Sequence, residues 1–255
     1  MKKQKKRLIR ADELVVKQDL ADSLDEAKKM ILAGFVRIGS DRVIYKCTDM
    51  LDINVSLNIN RPCPYVSRGA YKLKPAFDKY LNDLSGKTAA DIGASTGGFT
   101  DLMLQYGIVK VYAIDVGHSQ LHYKLRNIPQ VINMEKLNAK NMDSETLPEL
   151  VDIVTMDVSF ISVIKVLPAV NQILKNDGWS FILIKPQFEA ERNEIGAGGV
   201  VRDVNIRKKY VDKVTSFVGD ILKWKVLDIL PSPIKGPKGN QEFIMVSRKN
   251  ALNSL

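Results

Sequence analysis

The chain has 255 residues, 45% of them hydrophobic and 26% charged, the balance of a soluble globular protein with room for one large domain and a small one. Its 38 Lys and Arg against 29 Asp and Glu give a net charge of +9, which favours a polyanionic partner, either nucleic acid or an anionic membrane surface. The longest apolar runs, such as WSFILI at 179–184, fall far short of the roughly 20 residues that a membrane-spanning helix needs.

The opening MKKQKKRLIR holds six basic residues in ten and no acidic one, the footprint of a basic arm. No apolar stretch or cleavage site follows it, so a cytoplasmic protein is expected. Cys47 and Cys63 have no metal-ligand spacing and are expected to be reduced thiols.

IRADELVVK and SLDEAKKMILAGF then carry apolar residues at helical spacing, the second with Ser23 as N-cap, Glu26 three residues on and Gly34 at the stop. VRIGSDRVIY reads as a hairpin around Gly39, Ser40 and Asp41. Two short helices and a small sheet, with lysines and arginines throughout, resemble an S4-type RNA-binding domain over residues 8–58, most clearly in EAKKMILAGFVRI. Leu24 stands where that family places an arginine. The resemblance implies RNA contacts from Arg7, Arg10, Lys17, Lys28, Lys29 and Arg37; the plainer alternative is a solvated charged face. The domain is taken as 1–59, with the proline-containing NRPCPY at 60–65 as linker.

From residue 66 to 255 helices and strands alternate. The spacing predicts helices at 70–82, 97–106, 119–126, 161–175 and 204–222, and strands at 87–92, 109–114, 129–133, 151–156 and 179–184. WKVLDIL and EFIMVS follow as a closing hairpin. That rhythm implies an α/β fold with a doubly wound, mostly parallel sheet.

DIGASTGGFTDLM at 91–103 leaves a strand and enters a helix, where glycines permit close backbone approach and the helix start offers free N–H groups. Asp115 ends the next strand, placed to accept hydrogen bonds from ribose hydroxyls. The loop lacks G-x-G-x-x-G and begins with an acidic residue, which favours S-adenosylmethionine over a nicotinamide dinucleotide; a tight structural turn is the remaining alternative.

Transfer from a sulfonium needs a proton removed from a weakly acidic nucleophile. Asp157 and Lys185 each follow a strand, and Lys72 and Glu242 could join them; two lysines brought together would repel and lower the pKa of one. In VSRGAYKL, Lys72 is then a catalytic member, Ser67 and Arg68 contact cofactor or RNA phosphate, and Gly69 allows close approach.

VSRGAYKL, DIGASTGGFTD, AIDVGHSQLHYKLR, MDVSFIS, LIKPQFEA, GGVVRD and SPIKGPKGNQEF together resemble the TlyA-type ribosomal RNA 2′-O-ribose methyltransferases, relatives of the FtsJ methyltransferases, over residues 8–248. The resemblance implies a Rossmann-like S-adenosylmethionine-dependent methyltransferase domain and a catalytic tetrad of Lys72, Asp157, Lys185 and Glu242, with Lys185 as base toward a ribose 2′-hydroxyl of cytidine. It places S-adenosyl-L-methionine on Ser67, Asp91, Gly93, Ala94, Ser95, Thr96, Gly97, Gly98, Phe99, Thr100, Asp115, Asn138 and Asp157, and RNA on Arg68. The partner implied is ribosomal RNA or a ribosomal subunit, with no stable membrane association; naked RNA and assembled subunit stay open, as does the oligomeric state.

Two rival classes stand beside it. Proteins of this family are often labelled haemolysins, yet no stretch resembles a membrane-inserting segment. A noncatalytic RNA-binding adaptor is the other, against which the intact loop and tetrad argue. His118 and His122 have metal-like i, i+4 spacing without a third ligand, so no metal is expected. Glu189, Glu191 and Glu194 beside Gly196, Gly198 and Gly199 read as a mobile substrate loop or a plain solvent loop.

Overall fold

In the computed structural model, which describes residues 7–39, 42–60 and 63–250, the chain divides into two units, Met1–Pro64 and Tyr65–Leu255. Most of the basic arm and the expected turn residues Ser40 and Asp41 lie outside the described residues.

The first unit runs β1 (Leu8–Arg10), α1 (Ala11–Lys17), α2 (Leu24–Leu32), β2 (Val36–Ile38), β3 (Arg42–Val43), β4 (Met50–Asp52) and β5 (Leu57–Ile59). β3, β2 and β5 form an antiparallel sheet, and β1 pairs with β4. α2 starts as its sequence dictates: the Ser23 hydroxyl accepts the Glu26 N–H at 3.2 Å, and the Glu26 carboxylate accepts the Asp22 N–H at 3.2 Å, a reciprocal cap. The apolar stripes of both helices bury Leu14, Val15, Ala27, Met30 and Ile31 against Val36, Ile44 and Leu51.

The second unit runs α3 (Ala70–Tyr80), β6 (Thr88–Ile92), α4 (Gly98–Gln105), β7 (Lys110–Asp115), α5 (Tyr123–Arg126), β8 (Val131–Glu135), β9 (Val151–Met156), α6 (Leu167–Ile173), β10 (Leu174–Ile184), α7 (Pro186–Glu189), α8 (Val204–Ser216), β11 (Lys225–Pro231) and β12 (Phe243–Arg248). Its sheet has seven strands in the order β11-β12-β10-β9-β6-β7-β8. The five from β10 to β8 are parallel, and β12 runs antiparallel to both neighbours. This is the Rossmann-like α/β fold that the alternating pattern implied.

Period-two alternation sorts side chains to the two faces. Phe181, Leu183, Ile244 and Val246 pack with Leu73, Phe77, Leu102 and Met103 of α3 and α4. Ile182, Ile184 and Met245 pack with Val170, Ile173, Val211 and Val214 of α6 and α8. The connections β6–α4–β7, β7–α5–β8 and β9–α6–β10 each run through a helix, so the loops that leave these parallel strands gather at one end of the sheet, where ligands bind in such folds.

Several elements differ from expectation. The helix expected at 119–126 is only α5, because Glu135 accepts the N–H groups of Ser119 and Gln120 at 2.8 and 3.0 Å and draws that segment out of helix. The helix expected at 161–175 splits into a 3₁₀ turn, Val163–Lys165, and α6, which has Pro168 in its first turn. β10 begins five residues early with a register shift between Leu174 and Trp179. α8 ends at Ser216 and widens into a π-helical turn, Phe217–Ile221. No helix among the described residues is long and apolar enough to cross a membrane.

Candidate active site at the carboxyl ends of the strands

Lys72 lies in the first turn of α3, Asp157 directly after β9, Lys185 directly after β10, and Glu242 directly before the antiparallel β12. The sheet brings all four together. Lys72 Nζ is 2.8 Å from Glu242 Oε2 and donates to Asp157 Oδ2 at 3.3 Å; Lys185 Nζ is 2.5 Å from Asp157 Oδ1 and donates to the Ser159 hydroxyl at 2.8 Å. Solvent exposure of the side chains is 0% for Glu242, 11% for Lys72, 7% for Lys185 and 20% for Asp157, so the charges depend on one another for solvation.

The expected lowering of a lysine pKa does not occur at Lys72. Burial pulls its ammonium down, but Asp157 and Glu242 outweigh burial and hold it above the ordinary lysine value. Lys72 is the member that stays a cation.

Beside this chain of ion pairs lie two cavities. One, of about 310 Å³, is lined by Ser67, Gly69, Lys72, the 93–96 segment, Asp157 and Lys185. The other, of about 530 Å³, is lined by Asp115, Gly117, Gln120, Asn138 and Phe160. Both are lined by Gly93, Ser95, Asp157 and Ser159, so they meet at Asp157.

The glycine loop serves packing as much as ligand approach. A Cβ on Gly93 would stand 2.5 Å from the Asp157 carbonyl oxygen, and one on Gly98 would stand 3.1 Å from the Ala70 nitrogen; only glycine lets β6 lie that close to Asp157 and α4 that close to α3. Val66 N–H donates to Asp101 of α4 at 2.7 Å, which clamps the stretch carrying Ser67 and Lys72 onto α4.

Two expected cofactor contacts, Gly97 and Thr100, line neither of these cavities. Asp91 lines the first cavity while buried, its carboxyl oxygens accepting from the hydroxyls of Thr100 at 2.6 Å and Thr155 at 2.9 Å. Thr100 is the other half of that contact, and Gly97 is packed against Leu121 and Leu125. Ala94, Ser95, Thr96, Gly98 and Phe99 do line the first cavity.

Among the expected RNA contacts, Arg7, Lys17, Lys28, Lys29 and Arg68 are exposed and Arg37 is half-buried. Arg10 is half-buried, its guanidinium making a bidentate pair with buried Asp12 at 3.0 and 2.7 Å. Glu189 is likewise buried, accepting from the Ser162 hydroxyl at 2.5 Å and the Val163 N–H at 2.8 Å. It anchors the segment after Asp157 instead of forming a solvent loop. His118 faces Glu135 at 3.3 Å, and His122 Nδ1 accepts the Lys124 N–H.

Sequence reasoning missed Ser159, Phe160, Gln187 and Glu135. Phe160 is 92% exposed, holds a left-handed backbone at φ 64°, and lies 5.2 Å from the Phe188 ring. A bulky residue is seldom found so strained and so bare at a cavity rim. Only its place in MDVSFIS, directly after Asp157, signalled it.

The model for the FtsJ-like methyltransferases matches residues 65–249 of the chain. The chain belongs to the FtsJ-like methyltransferase family. Over 237 residues it is 40% identical to Hemolysin A of Brachyspira hyodysenteriae, covering 92% of this chain and 98% of that one. It is 37% identical to the 16S/23S rRNA (cytidine-2′-O)-methyltransferase TlyA of Mycobacterium tuberculosis, covering 94% of this chain and 89% of that one. A solved structure of a protein named a hemolysin, from Streptococcus thermophilus, superposes with a TM-score of 0.72 at 38% identity, covering 96% of this chain and 90% of that one.

As an FtsJ-like methyltransferase the protein uses S-adenosylmethionine, and the residues present fit it. The Asp115 carboxylate is steadied by the N–H groups of Ser95 and Gly117, one on each oxygen at 2.8 and 2.7 Å, and each oxygen keeps lone-pair capacity for a ribose hydroxyl. Asn138 fixes its carbonyl oxygen on the Lys140 N–H at 3.1 Å and keeps its amide donors for a base. The two cavities are of the size that drug-sized ligands occupy.

Proposed function

We propose that this FtsJ-like methyltransferase moves a methyl group from S-adenosylmethionine to the ribose 2′-hydroxyl of cytidine in ribosomal RNA, in the cytoplasm, with residues 1–59 acting as an S4-like domain that holds the RNA through phosphate contacts. The observation that carries the reading is the unbroken sequence of contacts Glu242, Lys72, Asp157, Lys185 at the meeting of the two cavities. The names of relatives that share most of the chain support RNA and cytidine.

Bound S-adenosylmethionine supplies a methyl group already activated by its sulfonium. The protein's task is to orient the nucleophile and take its proton. Lys72, held charged by Asp157 and Glu242, fixes one oxygen of Asp157; Lys185, on the other oxygen and on Ser159, is the group left to receive the 2′-hydroxyl proton. Phe160 offers a bare aromatic face at the cavity rim, suited to stacking with a base. Exposed Arg7, Lys17, Lys28, Lys29 and Arg68, with half-buried Arg37, supply phosphate contacts. Membrane lysis finds no spanning helix among the described residues, and an adaptor has no use for an intact tetrad.

Lys185→Ala is expected to abolish methyl transfer while S-adenosylmethionine affinity, measured by calorimetry, stays within about twofold. Transfer at the wild-type rate removes Lys185 as the base.

A further inference from the structure

Glu242 is wholly shielded from solvent, and a carboxylate taken out of water needs a partner on each oxygen. Oε2 is 2.8 Å from the Lys72 ammonium, an ion pair without hydrogen-bond geometry. Oε1 accepts from the side-chain amide of Gln187 at 3.3 Å. A wall of backbone closes the remaining side: a Cβ at Gly236 would run into Oε1, so this glycine leaves room for the carboxylate.

Gln187 lies in α7, the short turn whose N-cap is Lys185. One five-residue stretch, KPQFE, therefore supplies Lys185 on Asp157, Gln187 on Glu242, and Glu189 on the segment that follows Asp157. The other end of the Gln187 amide is informative. Its carbonyl oxygen is buried and has no hydrogen-bond partner among the described residues, an arrangement that is costly by itself. Turning the amide round would set that carbonyl against the Glu242 carboxylate, oxygen facing oxygen. The orientation thus sets a donor, and not an acceptor, against Glu242.

We propose that Gln187 is a positioning residue that holds Glu242 as an aimed carboxylate, so that Lys72 remains the fixed cation on Asp157 and Lys185 is left to act. The inference rests on the tetrad reading above. It joins the two ends of the tetrad through one turn of chain.

The test compares full-length wild type, Gln187→Leu, which keeps bulk without a donor, and Gln187→Glu, which keeps shape and adds like charge. The readouts are kcat and KM for ribosomal RNA, S-adenosylmethionine affinity, and thermal unfolding. Gln187→Leu is expected to lower kcat by about tenfold, the worth of one hydrogen bond to a charged group, with KM and cofactor affinity within about twofold. Gln187→Glu is expected to fall well below Gln187→Leu. An active wild type with equally active Gln187→Leu overturns the inference alone, as does Gln187→Glu turning over as fast as Gln187→Leu. A loss of kcat matched by loss of cofactor affinity or melting temperature also overturns it, since that is the mark of packing. A wild type that forms no 2′-O-methyl nucleoside overturns the tetrad reading, and this inference with it.

Discussion

A lysine that must keep its proton and a lysine proposed to take one meet on the same carboxylate, Asp157. The separation of their roles comes from Glu242, which adds a second negative charge to Lys72 alone. Below them, Asp91 shows what a carboxyl does without a cation: burial raises its pKa to about 6 against the pull of the Thr100 and Thr155 hydroxyls. Because the folded value lies above the unfolded 3.8, the native state binds the extra proton, and this stabilising contribution is full below pH 4 and lost as pH rises through about 6. Asp91→Asn removes the dependence, so its stability advantage over wild type is expected to grow by about 3 kcal/mol between pH 4 and pH 7, two pKa units, in urea unfolding. A constant difference across that range contradicts the assignment. Asp91 was readable as the acidic start of a cofactor loop; that Thr155 holds its carboxyl was not, since Thr155 is 64 residues away.

The elements that position the site were legible where the signal is local. Ser23 and Glu26 announce the start of α2, and VDIVTM and SFILI announce the strands that aim Asp157 and Lys185. The segment before α5 was not legible, because its conformation belongs to Glu135 at the end of β8. Glu135 accepts the N–H groups of Ser119, Gln120 and Leu121 and the Arg126 guanidinium, and these hold its carboxyl down at about 2. Since that value lies below the ordinary 4.5, the stabilisation is present above pH 4.5 and is lost only as pH falls toward 2. Gly117 and Gln120 line the larger cavity, so Glu135→Gln is expected to loosen them and weaken S-adenosylmethionine binding several-fold by calorimetry, with new protease cleavage between residues 117 and 123. Unchanged affinity and cleavage would free this segment from Glu135.

At the scale of the molecule, the alternating rhythm of strands and helices and the order of motifs disclosed the Rossmann-like unit and its family. Arg10 shows the limit of charge counting: its guanidinium belongs to Asp12, two residues on. The proposed division of labour predicts that removing residues 1–60 leaves S-adenosylmethionine affinity within about twofold but weakens RNA binding and flattens its dependence on salt, since fewer phosphates are neutralised. Equal loss of both affinities contradicts that division. The central claim is tested most directly by incubating the full-length protein and labelled S-adenosylmethionine with purified ribosomal subunits and their naked RNAs, then digesting to nucleosides. Label in 2′-O-methylcytidine is the predicted result; label in a base methyl group, or no transfer to any of these RNAs by protein that binds the cofactor, would contradict it.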